Sequence, residues 1–149
     1  MLPLIILAGP TTSNKSDTAI ELAEKINSEI ISADSMQVYK YFNIGTAKVT
    51  PADRVRIPHH LIDILEPDQE FSAFDFKTMA LAHTRELHSQ GKVPIITGGT
   101  GLYIKALCEG YDCAVQINPE IKKQVQSDIQ TKGLPEMHRE LQQIDPNSA

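Results

Sequence analysis

The sequence predicts an α/β fold in which a parallel sheet lies between layers of helices, and three observations carry that prediction. A continuous apolar run, Leu2 to Ala8, stops at Gly9-Pro10, as a strand buried on both faces does. Short runs of this kind alternate with stretches whose apolar residues recur at helical spacing. A glycine-to-Lys-Ser segment sits between the first such strand and the first such helix. No repeat or low-complexity segment interrupts the pattern.

The elements follow in order. From Lys15 to Ile26 the apolar positions Ala19, Ile20, Leu22, Ala23 and Ile26 form one face, and Asp17, Glu21, Glu24 and Lys25 the other, so a helix packed on the sheet is expected. Glu29 to Ser32 supplies a short second strand. Pro51 and Pro58 punctuate a long irregular stretch, after which His60 to Leu65 is a short extended piece. Phe74 to Gln90 is helical, with Gly91 in the position of a helix C-terminal glycine. Val93 to Thr97 is a buried strand running into Gly98-Gly99. Leu102 to Glu109, Pro119 to Lys132 and Leu134 to Ile144 complete the chain as helices, Pro119 standing in the favoured first turn.

With 149 residues, 41% hydrophobic and 22% charged, the chain has the length of one domain and the composition of a folded soluble protein. The N-terminal apolar run is too short to span a bilayer and lacks a basic leader, so no membrane association is expected. Cys108 and Cys113 have no second cysteine pair and no nearby histidine at ligand spacing, which argues for reduced thiols in the cytoplasm and against zinc. A net charge of -5 argues against a chain built wholly as a nucleic-acid footprint. Locally, Lys40, Lys48, Arg54 and Arg56 stand against Asp53 alone, a positive stretch that either faces a polyanion or is a solvated loop.

The segment Gly9-Pro10-Thr11-Thr12-Ser13-Asn14-Lys15-Ser16 has the length and the strand-to-helix context of a phosphate-binding P-loop, G-x-x-x-x-G-K-[ST]. A diphosphate needs backbone N–H donors at a helix N-terminus, an ammonium beside its outer oxygens and a hydroxyl for the accompanying Mg2+. Gly9, Lys15 and Ser16 meet those needs, Ser16 as the metal ligand. Asn14 departs from the motif, which has glycine where positive φ and close phosphate approach are required. Asn tolerates the left-handed region better than other side chains, and weakened diphosphate affinity is expected. Asp34, just after the second strand, reads either as a turn carboxylate or as a functional group at the strand C-terminal end where open α/β sheets bind ligands. His59 and His60 are expected to be structural, since neither has an orienting partner that the sequence identifies.

Further segments share a pattern with that loop: Ser32-Ala33-Asp34-Ser35-Met36-Gln37-Val38-Tyr39, Asn43-Ile44-Gly45-Thr46-Ala47-Lys48, Pro58-His59-His60-Leu61-Ile62-Asp63, Phe71-Ser72-Ala73 with Asp75-Phe76, and Gly98-Gly99-Thr100-Gly101-Leu102-Tyr103. In order and spacing, over the whole chain, they resemble the first half of the tRNA dimethylallyltransferases, also called tRNA isopentenyltransferases. The resemblance implies a P-loop NTPase-like three-layer fold, truncated relative to the family, whose second half carries a diphosphate-engaging arginine, further tRNA contacts and an inserted helical domain.

It also implies an activity, the transfer of a dimethylallyl group from dimethylallyl diphosphate to the N6 amine of the adenosine beside a tRNA anticodon. Residues Gly9, Pro10, Thr11, Thr12, Ser13, Asn14, Lys15 and Ser16 would hold the donor, and Asp34 would be the general base. Lys15, Ser16 and Thr100 would complete the catalytic set, with Mg2+ as cofactor. Asp34, Ser35, Met36, Gln37, Thr100 and Lys122 would contact the anticodon stem-loop, although the family often has Arg at the last position and Lys offers no bidentate fork. A cytoplasmic monomer, poorly active over these 149 residues alone, is the expectation. An adenylate isopentenyltransferase, a nucleotide or small-molecule kinase and a non-catalytic P-loop fragment are the alternatives.

Overall fold

The structure is a computed structural model and describes residues 3–10, 13–109 and 118–149. The chain divides into two compact units, Met1–Cys113 and Ala114–Ala149.

In the first unit four parallel strands form one sheet in the order β1-β4-β2-β3: β1 is Ile5–Ala8, β2 Ile30–Ser32, β3 His59–His60 and β4 Ile95–Gly98. Three helices cover it: α1 (Lys15–Ile26), α3 (Ala73–Ser89) and α4 (Gly101–Cys108). The strand side chains alternate between two cores, as a period of two requires. Ile30 and Ile95 join Ala19, Ile20 and Ala23 of α1 on one face, whereas Ile31 and Ile96 join Phe76 and Ala80 of α3 and Tyr103 and Ala106 of α4 on the other. All four isoleucines are fully buried, each stabilising the fold by about 1.5–3 kcal/mol. Helix, sheet, helix is the three-layer arrangement that the alternation of elements predicts.

α1 keeps the bounds expected from its periodicity, and Gly91 takes φ 74° just beyond α3, as a helix-terminating glycine should. Ser72 and Asp75 form a reciprocal capping box at the start of α3. Tyr103 then stacks on Phe76, with ring centroids 4.4 Å apart, and meets Phe71 edge-on, fastening α4 to α3. Burial pushes the Tyr103 hydroxyl up to about 12.

Three sequence expectations need revision. The stretch between β2 and β3 is not wholly irregular, because Pro51–Arg56 form a short helix, α2, with Pro51 at its start and Thr50 accepting a hydrogen bond from the Asp53 amide. The positive stretch does not face outward as free charge. Lys40 pairs with Glu66 and Arg56 with Glu24 and Asp53, while Lys48 and Arg54 both pair with Asp63 at 2.6 Å. The extended piece after His60 is shorter than expected: β3 ends at His60, and Leu65 makes an isolated parallel bridge with Tyr39.

The second unit contains α5 (Pro119–Lys132) and α6 (Leu134–Ile144), joined at Gly133 with φ 81°. Asn118 caps α5 by accepting from the Glu120 amide at 2.9 Å, and Lys132 bridges the two helices to Glu140, also at 2.9 Å. Among the described residues no helix is long and apolar enough to cross a membrane. Cys108 is a free exposed thiol, and Cys113 lies outside the described residues.

Candidate anion and nucleophile cleft

At the C-terminal edge of the sheet the phosphate loop opens a cleft of about 220 Å³. Thr11 and Thr12 lie outside the described residues. Asn14 takes the left-handed conformation, φ 54° and ψ 25°, that the motif reserves for glycine. Its carbonyl starts α1 by accepting from the Thr18 amide and hydroxyl, and its side chain makes no capping hydrogen bond. The left-handed backbone at this position is thus kept by a residue that tolerates it, and Asn14 lines the cleft.

Lys15 folds back over the loop. Its Nζ donates to the Pro10 carbonyl and to Ser13 Oγ at 3.2 Å, and Ser13 Oγ donates to the same carbonyl at 2.9 Å. These acceptors are neutral, and among the described residues no carboxylate pairs with Lys15. Ser16 lines the cleft beside it with an exposed side chain.

Asp34 stands on the same cleft, just past the end of β2. Its Oδ1 accepts from the Met36 amide at 2.9 Å and the Gln37 amide at 3.3 Å, while Oδ2 makes no hydrogen bond among the described residues. The turn reading and the functional reading of Asp34 are therefore compatible, one oxygen serving each. Close strand packing sets its position: the Ala33 amide donates to Thr97 O at 2.7 Å, and a Cβ added to Gly98 would stand 2.2 Å from Ala33 O. Only glycine allows that approach.

The remaining expected residues divide. Thr100 Oγ1 accepts from the Ser35 amide at 2.9 Å and lies 3.3 Å from Ser35 Oγ, tying the start of α4 to the Asp34 turn; neither residue lines the cleft. Gln37 lines it, but its amide accepts from Ser32 Oγ at 3.0 Å and donates to Thr46 O at 3.1 Å, so the side chain is committed to holding the turn. Met36 is exposed, beside Tyr41, Phe42 and Ile44 in a shallow concavity. Lys122 belongs to the second unit, on α5.

Sequence reasoning missed the floor of the cleft, where Ile30, Val49, His59 and Ile62 gather. His59 and His60 both have orienting partners, contrary to expectation: His59 Nδ1 lies 2.7 Å from Ile57 O and His60 Nε2 2.7 Å from Glu29 Oε2. Burial pushes the His59 ring below its ordinary range. For Glu29, burial alone would raise the pKa, but hydrogen bonds from Lys92 and His60 outweigh it and hold the carboxyl low.

Comparison with known proteins bears on what this cleft serves. The family model for IPP transferase matches residues 37–149. The tRNA dimethylallyltransferase of Syntrophobacter fumaroxidans is 46% identical over 145 residues, covering 97% of this chain and 42% of that protein. Among solved structures, the full-length tRNA isopentenylpyrophosphate transferase of Bacillus halodurans superposes with a TM-score of 0.74 at 36% identity, covering 99% of this chain and 49% of that one. A eukaryotic dimethylallyltransferase acting on tRNA gives 0.79 at 32% identity, covering 99% and 37%. The chain thus spans less than half the length of these relatives, and the fold it shares with them is P-loop NTPase-like. Matched by the family model over more than half of its residues and by such relatives over nearly all of them, the chain belongs to the IPP transferase family.

Proposed function

We propose that this chain supplies the donor-binding loop and the proton acceptor of a tRNA dimethylallyltransferase, which moves a dimethylallyl group from its diphosphate to the N6 amine of the adenosine beside the anticodon. One observation carries the reading: Lys15 and Asp34 line the same cleft, and among the described residues the Lys15 ammonium has no counter-carboxylate and Asp34 Oδ2 no hydrogen bond.

The donor's diphosphate rests against the N-terminus of α1, where backbone N–H groups and the Lys15 ammonium counter the negative charge that grows as the bond to the allyl carbon breaks. Mg2+ on the diphosphate, with Ser16 as its protein ligand, would supply further charge neutralisation when bound. Ile30, Val49 and Ile62 give the floor an apolar character suited to a five-carbon tail. An aromatic amine is a weak nucleophile, and Asp34 Oδ2 takes its proton as the new carbon–nitrogen bond forms, a role typically contributing about 10²–10⁴ in rate. Drawing adenine out of its stack lets the amine reach that oxygen. Ser35, Met36, Gln37, Thr100 and Lys122 remain the proposed tRNA-contacting set, with Ser35, Gln37 and Thr100 acting chiefly by holding the Asp34 turn. The protein is proposed to act as a cytoplasmic monomer.

The test is differential binding. Dimethylallyl diphosphate should raise the melting temperature of the chain where ATP does not, Lys15→Ala should remove the effect, and Asp34→Asn should retain it while abolishing prenyl transfer to an anticodon stem-loop. Protection by ATP alone would overturn the proposal in favour of a kinase.

A further inference from the structure

The floor histidine has no place in the chemistry above, although its geometry is closely defined. β3 pairs with β2 so that His59 stands opposite Ile30, and both residues line the cleft that Lys15 and Asp34 also line. Its Nδ1 lies 2.7 Å from the carbonyl oxygen of Ile57. A carbonyl oxygen can only accept, so Nδ1 carries the proton. In the neutral ring the other nitrogen, Nε2, then bears a lone pair and no hydrogen. Nε2 has no hydrogen-bond partner among the described residues. Nor is it sealed away, since the buried unpartnered side-chain atoms are Arg54 Nε and His88 Nε2.

The surroundings keep the ring neutral. Burial is the largest influence and disfavours the imidazolium; the Ile57 carbonyl opposes it, the charge of Arg54 adds to it, that of Asp53 opposes it, and that of His60 adds to it least.

We propose that His59 is a positioning and specificity residue that offers Nε2 as a hydrogen-bond acceptor to the nucleoside substrate. The inference rests on the proposed function and deepens it. Diphosphate oxygens are themselves acceptors and gain nothing from a lone pair, whereas adenosine brings donors in its exocyclic amine and its ribose hydroxyls. The cleft then sorts its two substrates by hydrogen-bond polarity, donors of charge and N–H at the Lys15 loop and an acceptor at the floor. Ile30, Val49 and Ile62 line the cleft together with His59, and the Ile57 carbonyl takes the Nδ1 proton.

Two substitutions separate this role from a structural one. In His59→Asn the side-chain amide N–H can replace Nδ1 as donor to Ile57 O, but the acceptor at the Nε2 position is lost. His59→Gln extends an amide to the Nε2 position and can restore that acceptor. Adenosine, which has no phosphate of its own, and inorganic pyrophosphate are titrated separately into the chain and both variants by calorimetry. His59→Asn should weaken adenosine about 5- to 10-fold, the loss of one neutral hydrogen bond, with His59→Gln recovering part of it and pyrophosphate affinity unchanged in both. Equal adenosine affinity in wild type and His59→Asn, or equal losses for adenosine and pyrophosphate, would overturn the role. So would failure of the wild-type chain to bind adenosine while it binds pyrophosphate, a result that leaves the donor loop standing. Failure to bind pyrophosphate would remove the underlying reading itself.

Discussion

Lys15 lines the cleft, Lys48 stands in sequence between two residues that line it, Ala47 and Val49, and the two ammonium groups are used in opposite ways. Lys48 is 3% exposed, donates to the Tyr39 carbonyl, and pairs at 2.6 Å with Asp63, whose other oxygen takes Arg54. Among the described residues Lys15 meets only the neutral oxygens of Pro10 and Ser13. A buried ammonium with a carboxylate on it holds chain segments together, whereas one with neutral partners can be recruited by an incoming anion at little electrostatic cost. The comparison teaches that the basic residues of segment 40–56 belong to the scaffold and that the charge available for a ligand is concentrated in the loop at residues 9–16.

The most damaging way to break the contrast is Asp63→Asn, which leaves Lys48 buried beside Arg54 without an anion. Denaturant titration should show a loss of about 3 kcal/mol, at the lower end for a broken buried pair because Asp63 is partly exposed, with Arg54 and Lys48 both deprived of their counter-charge. Gly98→Ala tests the positioning of Asp34 instead: a methyl 2.2 Å from Ala33 O must push β2 from β4, costing about 1–3 kcal/mol by the same measurement and weakening prenyl transfer beyond what the lost stability explains. Lys15→Ala should be the mirror image of Asp63→Asn. Calorimetry should report pyrophosphate binding weakened by about 10- to 100-fold, from the loss of one charge-assisted hydrogen bond, with stability within about 0.5 kcal/mol of wild type. The smallest effect is expected at Asn14. Asn14→Gly removes a side chain from a left-handed position and from the cleft wall, and should tighten pyrophosphate by a few-fold while stability changes by under about 1 kcal/mol. Unchanged affinity would show that the carboxamide does not crowd the anion.

Acid provides a sharper version of the first prediction. For Asp63, burial would raise the pKa, but hydrogen bonds from Lys48 and Arg54 outweigh it and hold the carboxyl below its ordinary 3.8. A folded value below the unfolded one means that this carboxylate's contribution is fully present above pH 3.8 and is lost as pH falls through the folded value. Glu29, held low by Lys92 and His60, behaves in the same way below its ordinary 4.5. Stability against pH should therefore fall on the acid side, and Asp63→Asn should flatten that limb in a fluorescence- or circular-dichroism-detected titration.

Much of this was legible in the chain itself. α1 keeps the bounds that its periodicity indicates and α5 and α6 keep theirs, α5 with Pro119 at its start; β1 and β2 lie within the apolar runs, and β4 runs one residue past its run to Gly98. α2 escaped notice because Pro51 was read as punctuation, although Thr50-Pro51 with Asp53 three positions after the cap is itself a helix-start signal. The partners of His59 and His60 escape a local reading because one is a backbone carbonyl, Ile57 O, and the other a carboxylate, Glu29, that is distant in sequence and comes alongside only when β2 pairs with β3.

The order of residues by itself determined where strands, helices and the phosphate loop form, because hydrophobic period, capping residues and a glycine-to-lysine spacing act over a few positions of contiguous chain. Tertiary structure alone decided which charges are spent. Whether Lys48 faces a ligand or Asp63, whether Gln37 reaches outward or clamps Ser32 to Thr46, and whether His59 has a free lone pair all depend on strand register and on the 2.2 Å approach that Gly98 allows. Electrostatic and hydrogen-bond partners are chosen by distance in space, and distance in space exists only once β2, β3 and β4 have paired.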